Sequence, residues 1–364
     1  MSTKKPFEGE KKVFLTGNEA VAWSALAAGA DIMYGYPITP QNQVMHTWSR
    51  IIPPYNRKFL QTEDEISAGF ANCAGAMAGK KSFTATAGPG NTLMQEPQSM
   101  AEAMRIPAVF IIQQRGGPSS GTVIYSQQEL TLTTYGGNGE GWRIVYSVCN
   151  HQELFDYTIK AFNIAWTYRF PTYVMGDGYQ AELREALTIY APEERGIKMV
   201  EPQPMVGMPG NPGIDRPPVH LVNIYSLEEE LYDVCMKYQA DYDRITNEIL
   251  ESRQENTKNP EVLVIGHGVV FRSIKEAVGK MIKEGLNVGY FRPITVRPLD
   301  EKALRAAVNN AEKVLVAESS LGQLARQVKA ICYGLTTPIS GYFLPGMGIV
   351  AKDIEREVKA LLKI

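Results

Sequence analysis

Cysteine is scarce and scattered. The 364 residues include only Cys73, Cys149, Cys235 and Cys332, and no two of them form a C-x-x-C pair. Iron-sulfur clusters and structural zinc sites need thiolates at close spacing, so a cluster held by this chain is not expected; reduced, buried thiols are. Histidine is equally sparse. His46, His151, His220 and His267 show no metal-ligand spacing, so no metal site is expected on this chain. Charge of one sign is missing too: 37 Lys and Arg stand against 39 Asp and Glu, a net charge of -2. Without a basic stripe interleaved with aromatics, nucleic-acid binding is not expected. Long apolar runs are also absent. The first twelve residues, MSTKKPFEGEKK, are charged, and no stretch approaches the roughly 20 apolar residues of a membrane span. The expectation is a cytoplasmic protein without a membrane segment.

What is present is enough apolar material, 44% of residues, for a sizeable core and for two domains rather than one. The chain reads as strand and helix in alternation. After a short apolar run, Thr16, Gly17 and Asn18, with Glu19 in the first turn, signal a helix start. Ala20 to Ala30 is then a helix of small residues. Asp31 to Tyr36 is a strand closed by the rigid turn Pro37-Ile38-Thr39-Pro40. Ala108 to Ile112 is an apolar strand that continues through Gln113 and Gln114 to Arg115 and a Gly-Gly-Pro turn. RIVYSV is a strand, Asn150 to Tyr168 an amphipathic helix, and Gly176-Asp177-Gly178 a strand-end turn. Prolines and glycines cluster from Ala191 to Val219 in an irregular excursion, and a charged helix from Ser226 to Arg253 leads into a linker. From Glu261 onward strands and helices alternate again, as in a small parallel α/β domain. The expected fold class is α/β with two parallel-sheet domains, residues 1–255 and 256–364.

The stretch from Gln61 to Gly90, QTEDEISAGFANCAGAMAGKKSFTATAGPG, is the one around which the rest is organised. Glu63, Asp64 and Glu65 open a helix whose face is built of Ala68, Gly69, Ala71, Ala74, Gly75 and Ala76. Acids suit the positive end of a helix dipole, which accounts for Glu63 and Asp64. Glu65 adjoins the small-residue face, where a carboxyl is buried and needs a partner. SFTATAGPG is a buried strand ending in the turn Gly88-Pro89-Gly90. In open α/β sheets ligands sit beyond the carboxyl ends of strands. Thr39 would present a hydroxyl there, as a turn cap or as a ligand group. Arg115 would present a planar fork, to a carboxylate or to an ion pair at a subunit edge. His267, between two glycines, is read as structural, and Arg292, Arg297 and Glu318 as subunit-contact residues without chemistry.

EDEISAG, with TATAGPG behind it and GYPITP ahead of it, resembles the alpha subunit of the 2-oxoacid:ferredoxin oxidoreductases. RPITVRPLD resembles part of the transketolase carboxyl-terminal domain. The resemblance runs over nearly the whole chain in the same order. It implies a thiamine diphosphate-binding, pyrimidine-type domain, including the excursion at about 191–219 and a helical linker, followed by a transketolase C-terminal-like domain. The implied reaction is coenzyme A-dependent oxidative decarboxylation of a 2-oxo acid to acyl-CoA and CO2. By resemblance Glu65 is the catalytic acid facing N1′ of the aminopyrimidine, with Glu63 as the alternative in the same tripeptide. Thr39 and Arg115 bind the substrate. Tyr36, Pro37, Ile38, Thr39, Gly88, Pro89 and Gly90 complete the implied cofactor-binding set.

A GDG sequence opens the magnesium and diphosphate motif of thiamine enzymes, but an asparagine must follow about one helix later to complete the ligand shell. Here the next asparagine is Asn211, in the proline-rich loop, so Asp177 is not read as a metal ligand. The partners that the resemblance implies are a beta subunit holding the diphosphate and Mg2+, and gamma and ferredoxin-like delta subunits, with [4Fe-4S] clusters on partner chains. Ferredoxin or another acceptor takes the electrons, and the assembly is a dimer of hetero-oligomers. Where the family often shows a TRTEQSDL-like segment, this chain reads TVIYSQQEL. That departure points to a more apolar pocket and leaves pyruvate, 2-oxoglutarate, branched-chain and aromatic acids open. Two other readings stand beside this one: a subunit of a lipoamide-dependent 2-oxo acid dehydrogenase or transketolase-like enzyme, and a non-catalytic assembly subunit.

Overall fold

The computed structural model describes residues 6, 7 and 9–364. A seven-stranded sheet runs in the order Thr295–Arg297, Ile144–Ser147, Thr172–Asp177, Val109–Gln114, Ser82–Thr86, Ile32–Gly35, Lys58–Gln61. Six strands are parallel and Thr295–Arg297 is antiparallel to its neighbour. Parallel sheets are covered on both faces, so their strands are apolar throughout. Accordingly, every residue of Ser82–Thr86, Val109–Gln114, Ile144–Ser147 and Thr172–Asp177 is buried.

The helices Gly17–Ala27 and His151–Tyr168 pack together over one face, and Glu65–Met77 and Gln95–Ala103 cover the other. The helix start expected at Thr16 is a capping box: the Thr16 hydroxyl accepts from the Glu19 N–H, and the Glu19 carboxylate accepts from the Thr16 N–H. The small-residue face of Glu65–Met77 is used for close approach. A Cβ on Gly69 would stand 2.4 Å from Pro97 Cγ, and one on Gly75 would stand 2.9 Å from Ser82 Cβ. Alanine-sized side chains let this helix sit against strand and helix at once.

The strand order reverses at Ile32–Gly35. The chain leaves it for Lys58–Gln61 on one side, then crosses back to Ser82–Thr86 on the other. Such a switch point opens a crevice at the carboxyl ends of the two strands. The turns Tyr36 to Pro40 and Gly88 to Gly90 both lie there.

The second sheet has five strands in the order Ile339–Phe343, Lys313–Glu318, Val262–Ile265, Val288–Pro293, Ser252–Glu255, all parallel except the last. Each sheet takes a strand from across the expected 255/256 boundary. Ser252–Glu255 pairs in the second sheet, while Thr295–Arg297, two residues after Val288–Pro293 ends, pairs in the first. RPITVRPLD, expected as a strand and an exit, stitches the two sheets together.

Arg292 and Glu318 are fully buried, so they do not line a subunit surface. Arg292, on the second sheet, makes a two-pronged ion pair with Glu153 of the helix His151–Tyr168, at 2.9 and 2.5 Å. Glu318 accepts from the Leu324 and Ala325 N–H groups at the start of the helix Gln323–Ile331. Arg297 donates to the Gly141 and Glu140 carbonyls. The proline-rich excursion lies over the far end of Glu65–Met77, where the Met205 N–H donates to the Met77 carbonyl at 2.8 Å. Among the described residues no helix is long and apolar enough to cross a membrane, and no group of three or more His, Cys, Asp or Glu is placed to hold a metal ion.

Candidate active site

The turn Tyr36 to Pro40 follows the strand Ile32–Gly35 and is pinned by three side chains. Gln41 Nε2 donates to the Tyr36 carbonyl at 2.8 Å, Asn18 Nδ2 to the Pro40 carbonyl at 2.7 Å, and Arg115 Nη1 to the Thr39 carbonyl at 2.8 Å. Thr39 itself is exposed, and its hydroxyl has no hydrogen-bond partner among the described residues. It is therefore not a turn cap, and is free for a ligand.

Glu65 is the first residue of its helix, and Asp64 is the cap, accepting from the Ser67 N–H at 2.7 Å. The three acids thus separate. Glu63 is exposed and accepts from the Ser67 hydroxyl at 2.8 Å, whereas Glu65 is 5% exposed with no side chain bonded to it. Burial raises the Glu65 carboxyl above the usual carboxylate range; its own backbone N–H and the charge of Arg115 oppose the shift, and Asp64 adds to it.

Two glycines make room around this carboxyl. A Cβ on Gly90 would stand 2.6 Å from Glu65 Oε1 and 2.3 Å from Thr86 Oγ1, a buried hydroxyl without a partner. Gly88 has φ +52°, and a Cβ there would stand 2.7 Å from Arg115 Nε. The Gly-Pro-Gly turn therefore has glycine where the backbone touches the acid and where it touches the arginine.

Arg115 directly follows the central strand Val109–Gln114 and is 7% exposed. Instead of an ion pair it donates from Nη1 to Thr39 and from Nη2 to the Ser120 carbonyl, the latter at 3.0 Å, and its Nε is buried without a partner. It braces two loops and keeps three of its five N–H donors uncommitted.

The residue that sequence reading missed is Glu129. It is 4% exposed; its Oε1 accepts from the N–H groups of Gly88 and Arg115, both at 2.8 Å, and its Oε2 from Asn91 Nδ2 at 2.9 Å. Its signal lay in the TVIYSQQEL departure, but the partners stand 41 and 14 residues away. Asp177 is also accounted for. Its carboxylate caps Gly178–Glu182 by accepting from the Gln180 N–H at 2.8 Å, and burial pushes it up to about 7.

Residues 24–254 match the family model described as pyruvate flavodoxin/ferredoxin oxidoreductase, thiamine diP-bdg. The chain belongs to the 2-oxoacid:ferredoxin oxidoreductase family. As an alpha-type subunit of that family it also matches, over residues 260–357, the pyruvate:ferredoxin oxidoreductase core domain II. It is 32% identical over 346 residues to the 2-oxoglutarate synthase subunit KorA of Methanocaldococcus jannaschii, covering 88% of this chain and 92% of that one. With the ketoisovalerate oxidoreductase subunit VorB of Methanothermobacter thermautotrophicus it shares 31% identity over 314 residues, 86% of this chain and 88% of that one. Among solved structures it resembles the 2-oxoglutarate:ferredoxin oxidoreductase from Magnetococcus marinus with 2-oxoglutarate, coenzyme A and succinyl-CoA bound. The TM-score is 0.87 at 26% identity, covering 96% of this chain and 65% of that one. A split-gene transketolase, TM-score 0.57 at 14% identity, shares the fold.

The residues present fit the aminopyrimidine half of thiamine diphosphate. A buried carboxyl with a raised pKa and no bonded side chain lies against a turn whose glycines permit close backbone approach, at the switch point of the sheet.

Proposed function

We propose that this chain is the alpha subunit of a coenzyme A-dependent 2-oxoacid:ferredoxin oxidoreductase, in which Glu65 engages N1′ of thiamine diphosphate and Arg115 and Thr39 receive the 2-oxo acid. The observation that carries this reading is Glu65: buried, without a bonded side chain, and in contact with Gly90. Desolvation raises the pKa of a carboxyl so placed, and such a group can give or take a proton at a ring nitrogen. When bound, thiamine diphosphate supplies the nucleophilic carbon and the electron sink for loss of CO2. Arg115 orients the 2-oxo acid with its uncommitted N–H donors, and the Thr39 hydroxyl supplies one further donor beside it. The net change converts a 2-oxo acid anion, coenzyme A and two oxidised one-electron acceptors into acyl-CoA, CO2, two reduced acceptors and one proton.

What this chain's residues already do supports the assignment of partners. Asp177 is committed to a helix cap, which supports placing the diphosphate and Mg2+ on a beta subunit. The cysteine spacing supports placing [4Fe-4S] clusters on partner chains. Around the site Leu60, Ile66 and Leu93 are 51%, 37% and 45% exposed, an apolar rim suited to another subunit. The compartment we assign is the cytoplasm.

The test is the complex purified through a tag on this chain, assayed for bound thiamine diphosphate, iron, acid-labile sulfide and 2-oxo acid oxidation. Glu65→Gln in that complex should leave assembly intact and lower turnover about 100-fold or more, the scale of acid-base catalysis. Near-wild-type turnover in the assembled variant refutes the role of Glu65. A lone chain without cofactor refutes the whole reading.

A further inference from the structure

We propose that Glu129 is a positioning residue that locks the cofactor turn to the substrate arginine. The proposal rests on the reading of Gly88 to Gly90 and Arg115 given above.

The strands Ser82–Thr86 and Val109–Gln114 are parallel neighbours whose ladder ends at the pair Thr86 and Ile112. Beyond that pair the two chains diverge, and the N–H groups of Gly88 and Arg115 have no partner strand. One oxygen of Glu129 accepts both, at 2.8 Å each. It acts as a bridge that continues the pairing for one more step and sets the separation between the turn facing the cofactor and the arginine facing the substrate. The other oxygen accepts from Asn91 Nδ2, which also donates to Thr133 Oγ1 at 3.0 Å. Asn91 Oδ1 in turn accepts from Gln95 and Gln98, both at 3.1 Å. The carboxylate is thus anchored on the helix that follows the turn.

Glu129 also closes the loop that begins at Arg115, the loop whose Ser120 carbonyl takes Arg115 Nη2. Its two predecessors extend the fastening. Gln128 Oε1 accepts from the Gly117 N–H, while Gln127 donates to the His267 carbonyl and accepts from the Ser319 N–H of the second sheet. Three consecutive residues, Gln127, Gln128 and Glu129, therefore fasten the second sheet, the loop and the site.

A carboxylate that receives only N–H donors predicts a reciprocal swap. In Glu129→Gln the new amide faces the Asn91 amide, donor against donor. In Asn91→Asp two carboxylates face each other. The double variant, Glu129→Gln with Asn91→Asp, restores one donor and one acceptor at the same total charge, and the Thr133 hydroxyl can turn to donate to Asp.

The experiment uses the assembled complex, with 2-oxoglutarate, ketoisovalerate and pyruvate as trial substrates. Each single variant should raise the KM for the 2-oxo acid about 10-fold or more, the scale of a buried hydrogen bond to a charged group, and leave the KM for coenzyme A within about twofold. Amide hydrogen exchange in peptides covering Gly88 and Arg115 should quicken in the single variants. The double variant should restore both readouts to within about threefold. Unchanged exchange at these amides, or a double variant no better than the singles, overturns the proposal. Should a single variant fail to assemble, recovery of assembly by the double variant supports the bridge and its absence overturns it. If the wild-type complex oxidises none of the three acids, the proposed function loses its support for these substrates, while exchange and its reversal by the swap still decide the bridge.

Discussion

Adding a single methyl group at Gly90 should separate activity from stability. In Gly90→Ala the new Cβ falls 2.6 Å from Glu65 Oε1, 2.8 Å from Glu65 Cγ and 2.3 Å from Thr86 Oγ1. Comfortable separations are about 3.5 Å, so the Glu65 carboxyl or the turn must shift by roughly 1 Å. Overpacking of this kind costs about 1–3 kcal/mol, which a thermal scan reads as a fall of a few degrees in Tm. Chemistry suffers more, because a displacement of about 1 Å at a reacting group can cost on the order of 100-fold in rate. The assay is 2-oxo acid-dependent acceptor reduction by the complex, with thiamine diphosphate affinity measured in parallel. Gly279→Ala serves as the control: its Cβ would meet nothing within 4 Å on the helix Val270–Lys283, so turnover stays unchanged and helix stability rises by up to about 1 kcal/mol. A Gly90→Ala complex with cofactor affinity and turnover within about threefold of wild type would refute the claim that the backbone must approach Glu65 here.

Arg115→Ala should raise the KM for the 2-oxo acid about 10-fold or more with little change in that for coenzyme A; steady-state kinetics with each substrate varied would show this, and equal effects on both would count against the anchor. Asp177 gives a pH dependence of stability. Burial raises it from 3.8 to about 7, so across that window the folded chain keeps a proton that the unfolded chain has lost. Stability should therefore fall as pH rises from about 4 to 7, by up to ~1.4 kcal/mol per pH unit. Asp177→Asn keeps the cap and should flatten that slope in urea titrations at several pH values. Arg292→Leu strands the buried Glu153 carboxylate, leaving the half-exposed Arg253 and the Cys149 N–H as its partners. The expected loss is about 3 kcal/mol by denaturant unfolding, most of it recovered when Glu153→Leu is added.

Much of the candidate site could be read before the fold was known. Glu65 stood out because an acid abutted a small-residue face, and the Gly-Pro-Gly sequence marked a turn at the end of a buried strand. The threonine between Ile38 and Pro40 was expected beyond a strand end, where it lies. Arg115 was legible as a residue and illegible as a contact. The residue pattern offers its fork to a substrate carboxylate or an ion-pair partner and says nothing of the carbonyls of Thr39 and Ser120 that take two of its donors. Backbone carbonyls leave no mark in a residue pattern, so no inspection of spacing could have found them.

The sequence by itself determined what is local or periodic. The Thr16–Glu19 capping box, the continuous apolar strands, the small-residue helix and the alternation that demands parallel sheets all rest on interactions within a few residues or on burial of one face. The tertiary structure alone decided what depends on chain closure over long separations. It placed Ser252–Glu255 and Thr295–Arg297 in each other's sheets and buried Arg292 against Glu153, 139 residues apart. It also brought Glu129 between two strand ends. A buried polar group must find partners wherever the packed chain presents them, and that choice belongs to the register of the sheets rather than to any neighbour in sequence.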